Sequence, residues 1–182
     1  MIKKTVFDKV HIIHNLFSKE ELSEIRLALE QVKWQEDQNG NHIVQVESVD
    51  SSIFPHVIDA YNSKVSILKS EIEKDFFYSV GSENHSAVVR YREGWALHSH
   101  VDSWSNLKTF SGYPSRDVSS LIYLTDDFKG GKLVFNELKI EIEPIAGSAV
   151  YFPSDEKHIH EVTELISGNR WVSTCFWHLI KE

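Results

Sequence analysis

Two imidazoles and one carboxylate are the donor set with which a protein holds iron(II) on one face and leaves the opposite face open to reactants. The segment His100-Val-Asp102 offers one imidazole and a carboxylate two residues apart. Side chains of an extended segment alternate, so both would point to the same side, as a shared metal requires. The pair alone says little: about half an occurrence of His-x-Asp arises by chance at this composition, and such pairs commonly form surface salt bridges or turns. His98 lies on the same side of the segment and competes with His100 for the ligand position. The 10 histidines and 12% aromatic residues enlarge the pool of donors and of flat surfaces on which a substrate could stack.

These groups need a scaffold, and the periodicity of the chain describes one. Ser18-Lys-Glu-Glu21 is a capping box, with the serine bonding the amide three residues on and the glutamate reaching back. Leu22, Ile25, Leu29 and Val32 then recur at helical spacing, which predicts an amphipathic helix of about four turns. A short strand from Val10 to Ile13 precedes it. Pro55 suits the first turn of a second helix, with Ile58, Tyr61, Val65, Leu68, Ile72 and Phe76 on its apolar stripe. Gln38-Asn-Gly-Asn41 between the two helices is a turn signal.

From Ser86 the period changes to that of strands. Ala87–Tyr91, Ser119–Leu124, Lys132–Phe135, Lys139–Ile142, Ser148–Phe152, His158–Val162 and Trp171–His178 are short and rich in β-branched or aromatic residues. Gly94, Gly130-Gly131, Pro144, Gly147, Pro153 and Gly168 punctuate them. Many short strands with frequent turns indicate a sandwich or barrel. The Gly130-Gly131 pair reads as a tight connection between strands, since no helix follows it as a phosphate loop requires. The expected fold is α+β and mainly β: a jelly-roll core over residues 86–180 with a helical support region over residues 1–85, together a single domain spanning 1–182.

Composition narrows the function classes. With one cysteine, Cys175, no intrachain disulfide forms, and a reducing compartment fits best. No stretch is long and apolar enough to span a bilayer, so a cytoplasmic location is expected. The net charge of −8 does not favour the basic face used to grip phosphates, and nucleic acid is not an expected partner.

The order of features adds more than any one of them. Tyr91-Arg-Glu-Gly94 ends a strand before His100-Val-Asp102, and Leu121–Phe135 is a strand, an acidic turn, a Gly-Gly pair and another strand. Pro144–Phe152 is a further turn and strand, His160-Glu-Val162 follows, and Arg170 lies ten residues beyond His160. In this arrangement the sequence resembles the 2-oxoglutarate and Fe(II)-dependent dioxygenases, specifically their prolyl 4-hydroxylase-like branch, over about Ala87 to His178. The resemblance implies a double-stranded β-helix (jelly-roll) core. It makes His100, Asp102 and His160 the iron ligands and Arg170 the partner of the distal carboxylate of 2-oxoglutarate, a role suited to a guanidinium fork. Tyr91 matches a tyrosine lining the cosubstrate pocket. Tyr123 is a second candidate, with strand alternation leaving open whether Tyr123 or Ile122 points inward. Thr163 and Ser173 are further candidates. His158 competes with His160, but the ten-residue step to Arg170 selects His160.

Further expectations follow from that resemblance. Fe(II), 2-oxoglutarate and O2 are the implied cofactor and cosubstrates, with ascorbate a possible accessory. The implied reaction is hydroxylation coupled to release of succinate and CO2, since Asp102 occupies the position that halogenating relatives vacate. The long polar and aromatic segment after Asp102 would wall the substrate site: Trp104, Phe110 and Tyr113 could stack on a proline ring, Arg116 could hold a carboxylate, and Trp95 and Trp177 could add to the pocket. The leading substrate is a prolyl residue in a peptide or protein. A free amino acid or small metabolite is the alternative, and a non-catalytic jelly-roll binding module the alternative of a different class.

Overall fold

The computed structural model describes residues 1–38, 40–46, 54–81, 85–103 and 116–181. Strands β1 (Ile2–Phe7) and β2 (Val10–His14) form an antiparallel hairpin, followed by helix α1 (Lys19–Leu29), the short hairpin β3 (Gln35–Glu36) and β4 (His42–Gln45), and helix α2 (Pro55–Phe76). Next come β5 (Ser79–Val80), β6 (His85–Tyr91), β7 (Leu97–His100), β8 (Val118–Tyr123), β9 (Phe128–Gly130) and β10 (Leu133–Phe135). The chain ends with β11 (Ile140–Ile142), β12 (Ala149–Pro153), β13 (His160–Val162), β14 (Leu165–Gly168), β15 (Arg170–Trp177) and β16 (Leu179–Ile180).

Two antiparallel sheets form the β-core. The larger has the strand order β1-β2-β12-β8-β15-β6-β4-β3, and the smaller β11-β10-β13-β7. Between them lies an apolar interior that includes Tyr123, Leu133, Phe135, Val150, Phe152, Val162 and Val172. The other face of the larger sheet carries Ile122, Tyr151, Trp171, Cys175 and Trp177, which pack against Ile25 and Leu29 of α1 and Tyr61, Leu68 and Ile72 of α2. Period-two alternation therefore sorts β8 and β15 residue by residue into an interior set and a helix-side set. Burial of each such apolar side chain stabilises the fold by about 1.5–3 kcal/mol, so both faces hold the large sheet firmly beneath the site.

The helices follow the sequence signals closely. Ser18 Oγ accepts the Glu21 amide at 3.2 Å and the Ser18 amide donates to Glu21 Oε2 at 2.8 Å, completing the capping box. α1 is shorter than four turns, and Val32 lies beyond it. Its last carbonyls are taken by side chains, Gln31 Nε2 donating to the Leu27 oxygen and Trp34 Nε1 to the Leu29 oxygen, which relieves the chain of continuing the helix. α2 starts at Pro55 and stops where Phe77 adopts a left-handed conformation.

The expectation of a helical first third with one short strand is corrected. Strands β1 to β4 all join the larger sheet, and the turn signal expected between the helices falls between the paired strands β3 and β4. β3 and β4 have two and four residues, too few for a period to register. β1 shows no clean alternation, because main-chain pairing to β2 rather than burial holds it in place. Among the described residues no helix is long and apolar enough to cross a membrane.

Candidate active site

The smaller sheet brings the distant histidines together. β7 pairs with β13 so that His100 lies opposite His160, with a register irregularity between His160 and Val162. The ring centroids are 4.3 Å apart. Each ring is oriented by its own backbone: His100 Nδ1 bonds the His98 carbonyl at 2.9 Å, and His160 Nδ1 the His158 carbonyl at 3.0 Å. A carbonyl only accepts, so Nδ1 carries the proton and the Nε2 lone pair is free to ligate. Both Nε2 atoms face Asp102, at 3.3 Å from Oδ1 for His100 and 3.4 Å from Oδ2 for His160. The three ligand atoms lie within 4.8 Å of one another. That N2O set on adjacent strand ends fits a divalent iron bound on one face.

Asp102 sits just past the end of β7, where the Ser103 amide donates to the Ser154 carbonyl at 3.0 Å. Burial works against ionisation of Asp102, but the His100 imidazole, the field of His160 and the Ser119 hydroxyl outweigh it and hold the carboxyl below its usual pKa. Ser119 Oγ is itself 2.7 Å from Ser154 Oγ. Burial also lowers the pKa of His160, whose ring packs on Phe152 and Phe135 with centroids 4.8 and 5.6 Å away. A neutral imidazole is the form that ligates a metal. For His100, burial opposes a charge, yet the bond to and field of Asp102 prevail and raise its pKa.

The competing histidines fall elsewhere. His98 is exposed and contributes its carbonyl, not its ring. His158 is buried, but both ring nitrogens are engaged, Nδ1 with Asp155 Oδ1 at 2.6 Å and Nε2 with the Asp8 carbonyl at 2.7 Å.

A second polar group lies in the same interior. Arg170 starts β15 opposite Tyr91 of β6 and is 1% exposed. Its Nε donates to the Gly131 carbonyl at 3.0 Å, and its Cζ lies 4.6 Å from the Tyr91 ring centroid and 5.9 Å from that of Tyr123. Arg170 Nη1 and the Tyr123 hydroxyl are both buried with no hydrogen-bond partner among the described residues. Buried donors are normally satisfied, and a guanidinium nitrogen with a phenol nearby suits a carboxylate. Burial pushes the Tyr123 phenol up to about 12, so it stays protonated and able to donate. Burial raises Tyr91 as well. Tyr123 is thus the inward-facing residue of the Ile122–Tyr123 pair, while Ile122 faces the helices.

Other sequence candidates divide. Trp95 stacks on Tyr91 with centroids 4.2 Å apart, at the rim of this interior. Trp177 is not in the pocket: it is fully buried on the helix side, with Nε1 donating to Ser120 Oγ at 2.8 Å. Ser173 likewise faces the helices, 2.5 Å from the Tyr61 hydroxyl. Both sit on odd positions of β15, opposite in phase to Arg170 and Val172. Thr163 Oγ1 accepts the Lys132 amide at 2.9 Å, a link between strands. Arg116 is half-buried with its Cζ 3.7 Å from the Phe176 ring centroid and within electrostatic reach of Asp102. Trp104, Phe110 and Tyr113 lie outside the described residues. Ser119, Ser154 and Gly131 escaped sequence reasoning. Only the phase of β8, which puts Ser119 on the same side as Tyr123, hinted at one of them.

Comparison with known proteins agrees with this geometry. The family model of the 2OG-Fe(II) oxygenase superfamily matches residues 86–178. The chain is 32% identical over 123 residues to 2-oxoglutarate and iron-dependent oxygenase domain-containing protein 3 of Rattus norvegicus, covering 65% of this chain and 35% of that protein. It is 38% identical over 130 residues to prolyl 3-hydroxylase 1 of Gallus gallus, covering 63% of this chain and 17% of the relative. The matched region thus spans about a third or less of these curated relatives. Among solved structures, a Pseudomonas putida prolyl-4-hydroxylase superposes with a TM-score of 0.73 at 19% identity, covering 96% of this chain and 94% of that one. A Trichoplax adhaerens prolyl hydroxylase bound to a hypoxia inducible factor peptide fragment gives 0.68 at 21% identity, covering 94% and 84%. These likenesses establish the double-stranded β-helix fold. With the family match extending over the strands that carry His100, His160 and Arg170, the chain belongs to the 2-oxoglutarate and Fe(II)-dependent oxygenase superfamily.

Proposed function

We propose that the chain is a hydroxylase of peptidyl proline, consuming O2 and 2-oxoglutarate and releasing succinate and CO2. One oxygen atom enters the substrate and the other the new carboxylate of succinate, which balances the reaction. The reading is carried by one observation: His100, Asp102 and His160 converge three ligand atoms in the interior that also leaves Arg170 Nη1 and the Tyr123 hydroxyl open.

Iron(II) held by this triad would supply the oxygen activation that side chains cannot perform. The protein's own groups orient and exclude. His98 and His158 carbonyls fix the two imidazoles in the ligating tautomer. Arg170 and Tyr123 donate to the far carboxylate of the cosubstrate, and Arg170 Nε stays tied to Gly131. Phe135, Phe152 and Val172 keep the interior dry, which strengthens the guanidinium–carboxylate attraction.

Two observations support a peptide over a small metabolite. An open cleft of about 480 Å3 is lined by Ser103, the residue after Asp102, with Arg116, Pro153, Ser154, Lys9 and Tyr78. An open groove suits an extended chain, whereas an isolated amino acid needs a closed pocket. The names of the relatives and structural neighbours also point to prolyl substrates. Peptides rich in proline, incubated with Fe(II), 2-oxoglutarate and air, should yield succinate in step with hydroxyproline. 4-Hydroxyproline would match the assignment made from sequence; the 3-isomer would move the oxidised carbon. Turnover with free amino acids alone would replace the peptide reading. Absence of any metal-dependent 2-oxoglutarate binding would favour a non-catalytic module.

A further inference from the structure

Gly130 and Gly131 are adjacent and both have positive φ, +80° and +64°, but they lack side chains for different reasons. At Gly130 a Cβ would run into the Glu164 carbonyl across the β9–β14 pairing, so that glycine serves the crossing of strands. At Gly131 a Cβ would lie 2.6 Å from Arg170 Cδ and 2.9 Å from Arg170 Nε, with the Phe128 ring edge at an unstrained 3.4 Å. The same residue's carbonyl accepts Arg170 Nε at 3.0 Å. The arginine stem therefore lies directly on the bare Cα of Gly131 and is pinned there by its own hydrogen bond.

Resting on the assignment of Arg170 to the distal carboxylate of 2-oxoglutarate, we propose that Gly131 is a positioning residue that sets the depth of the cosubstrate pocket. A side chain at position 131 must push the stem away from Gly131. The Tyr91 and Tyr123 rings also face the guanidinium, at 4.6 and 5.9 Å. Displacement therefore moves the fork toward the tyrosines and into the space beside the open Nη1 and Tyr123 hydroxyl, shortening the pocket. A five-carbon keto diacid loses its distal contacts, while the four-carbon oxaloacetate loses less. The atoms nearest a Cβ at Gly131 belong to Arg170 and Phe128, not to the triad.

Gly94 provides an internal control: its φ is +77°, yet nothing lies within 4 Å of a Cβ there. Gly94→Ala therefore carries the backbone strain of a positive φ without a steric contact. With Mn(II)-loaded protein and no O2, calorimetric titration of Gly131→Ala should show 2-oxoglutarate affinity reduced by about tenfold or more, the loss expected when one charge-assisted contact is misaligned. Oxaloacetate affinity should fall less, Mn(II) affinity should be unchanged, and Gly94→Ala should bind both acids as wild type does. Unchanged 2-oxoglutarate affinity in folded Gly131→Ala, or equal losses for the two acids, would overturn the proposal. Should Gly131→Ala fold poorly, a double-mutant cycle decides by thermal melting alone. In an Arg170→Ala background the alanine at 131 should lower the melting temperature no more than Gly94→Ala does. A penalty undiminished by removing Arg170 would show that Gly131 makes room for something else. Failure of wild type to bind 2-oxoglutarate at all would instead sink the functional assignment, and the melting cycle would still test the contact.

Discussion

His158 and His160 stand two residues apart and are almost equally buried, 3% and 4% exposed, yet they do opposite things. Both nitrogens of His158 are consumed by Asp155 and the Asp8 carbonyl, so its ring ties the β1–β2 turn to the segment leading into β13. His160 spends one nitrogen on a carbonyl and leaves the other facing Asp102. Burial and residue type are the same; the count of available lone pairs differs. A similar distinction separates Arg170 from Ser173 and Trp177 of β15. Ser173 and Trp177 on the helix side have protein partners, whereas Arg170 on the interior side keeps Nη1 open. The open atoms on the interior side, Arg170 Nη1 and the Tyr123 hydroxyl, are where this molecule would meet its cosubstrate; Trp171 Nε1, also without a partner among the described residues, lies on the helix side.

The contrast can be broken by mutation, beginning with the largest effect. His160→Ala should abolish iron-dependent succinate formation while leaving the circular dichroism spectrum native; residual turnover near wild type would place the ligand elsewhere. Arg170→Ala should raise the 2-oxoglutarate concentration for half-maximal turnover by about 10- to 100-fold, the worth of a hydrogen bond to a charged group, with metal affinity unchanged. His158→Ala should act differently from its neighbour. It should lower stability by about 1–3 kcal/mol, the cost of emptying a buried ring site and losing its bonds to Asp155 and the Asp8 carbonyl, and weaken metal affinity by at most about 10- to 100-fold through a looser His160. Complete loss of metal in a folded His158→Ala protein would erase the distinction between the two residues. Ser173→Ala should do least: the Tyr61 hydroxyl keeps Ser86 Oγ at 2.7 Å, so unfolding free energy should fall by about 1 kcal/mol or less and cosubstrate dependence should not change.

Much of the core and the site was legible in spacing. Runs such as Val118–Tyr123 and Arg170–Trp177 are long enough to show strand character, and the His-x-Asp, distal His and Arg order survives in one dimension because each lies at or just past a strand end. What was not legible depends on partners far away in the chain. The step to Arg170 selects His160 over His158, but what occupies His158 is invisible in sequence because its second partner, Asp8, is 150 residues away. Trp177 is a pocket candidate in sequence because aromatic character is visible and phase is not; the register of β15 against β8 and β6 puts odd positions on the helix side. β3 and β4 were missed because two to four residues carry no period, and Gly131 read as a turn because nothing local reveals that an arginine stem lies on it.

The central claim is that one interior holds metal and cosubstrate together. It is tested most directly by calorimetric titration of 2-oxoglutarate without O2, with and without Fe(II), into wild type, Asp102→Ala and Arg170→Ala. Wild type should bind 2-oxoglutarate tightly only when iron is present, with both variants strongly impaired and only Arg170→Ala still retaining iron. Binding that is independent of iron, or equal in wild type and Asp102→Ala, would contradict the account.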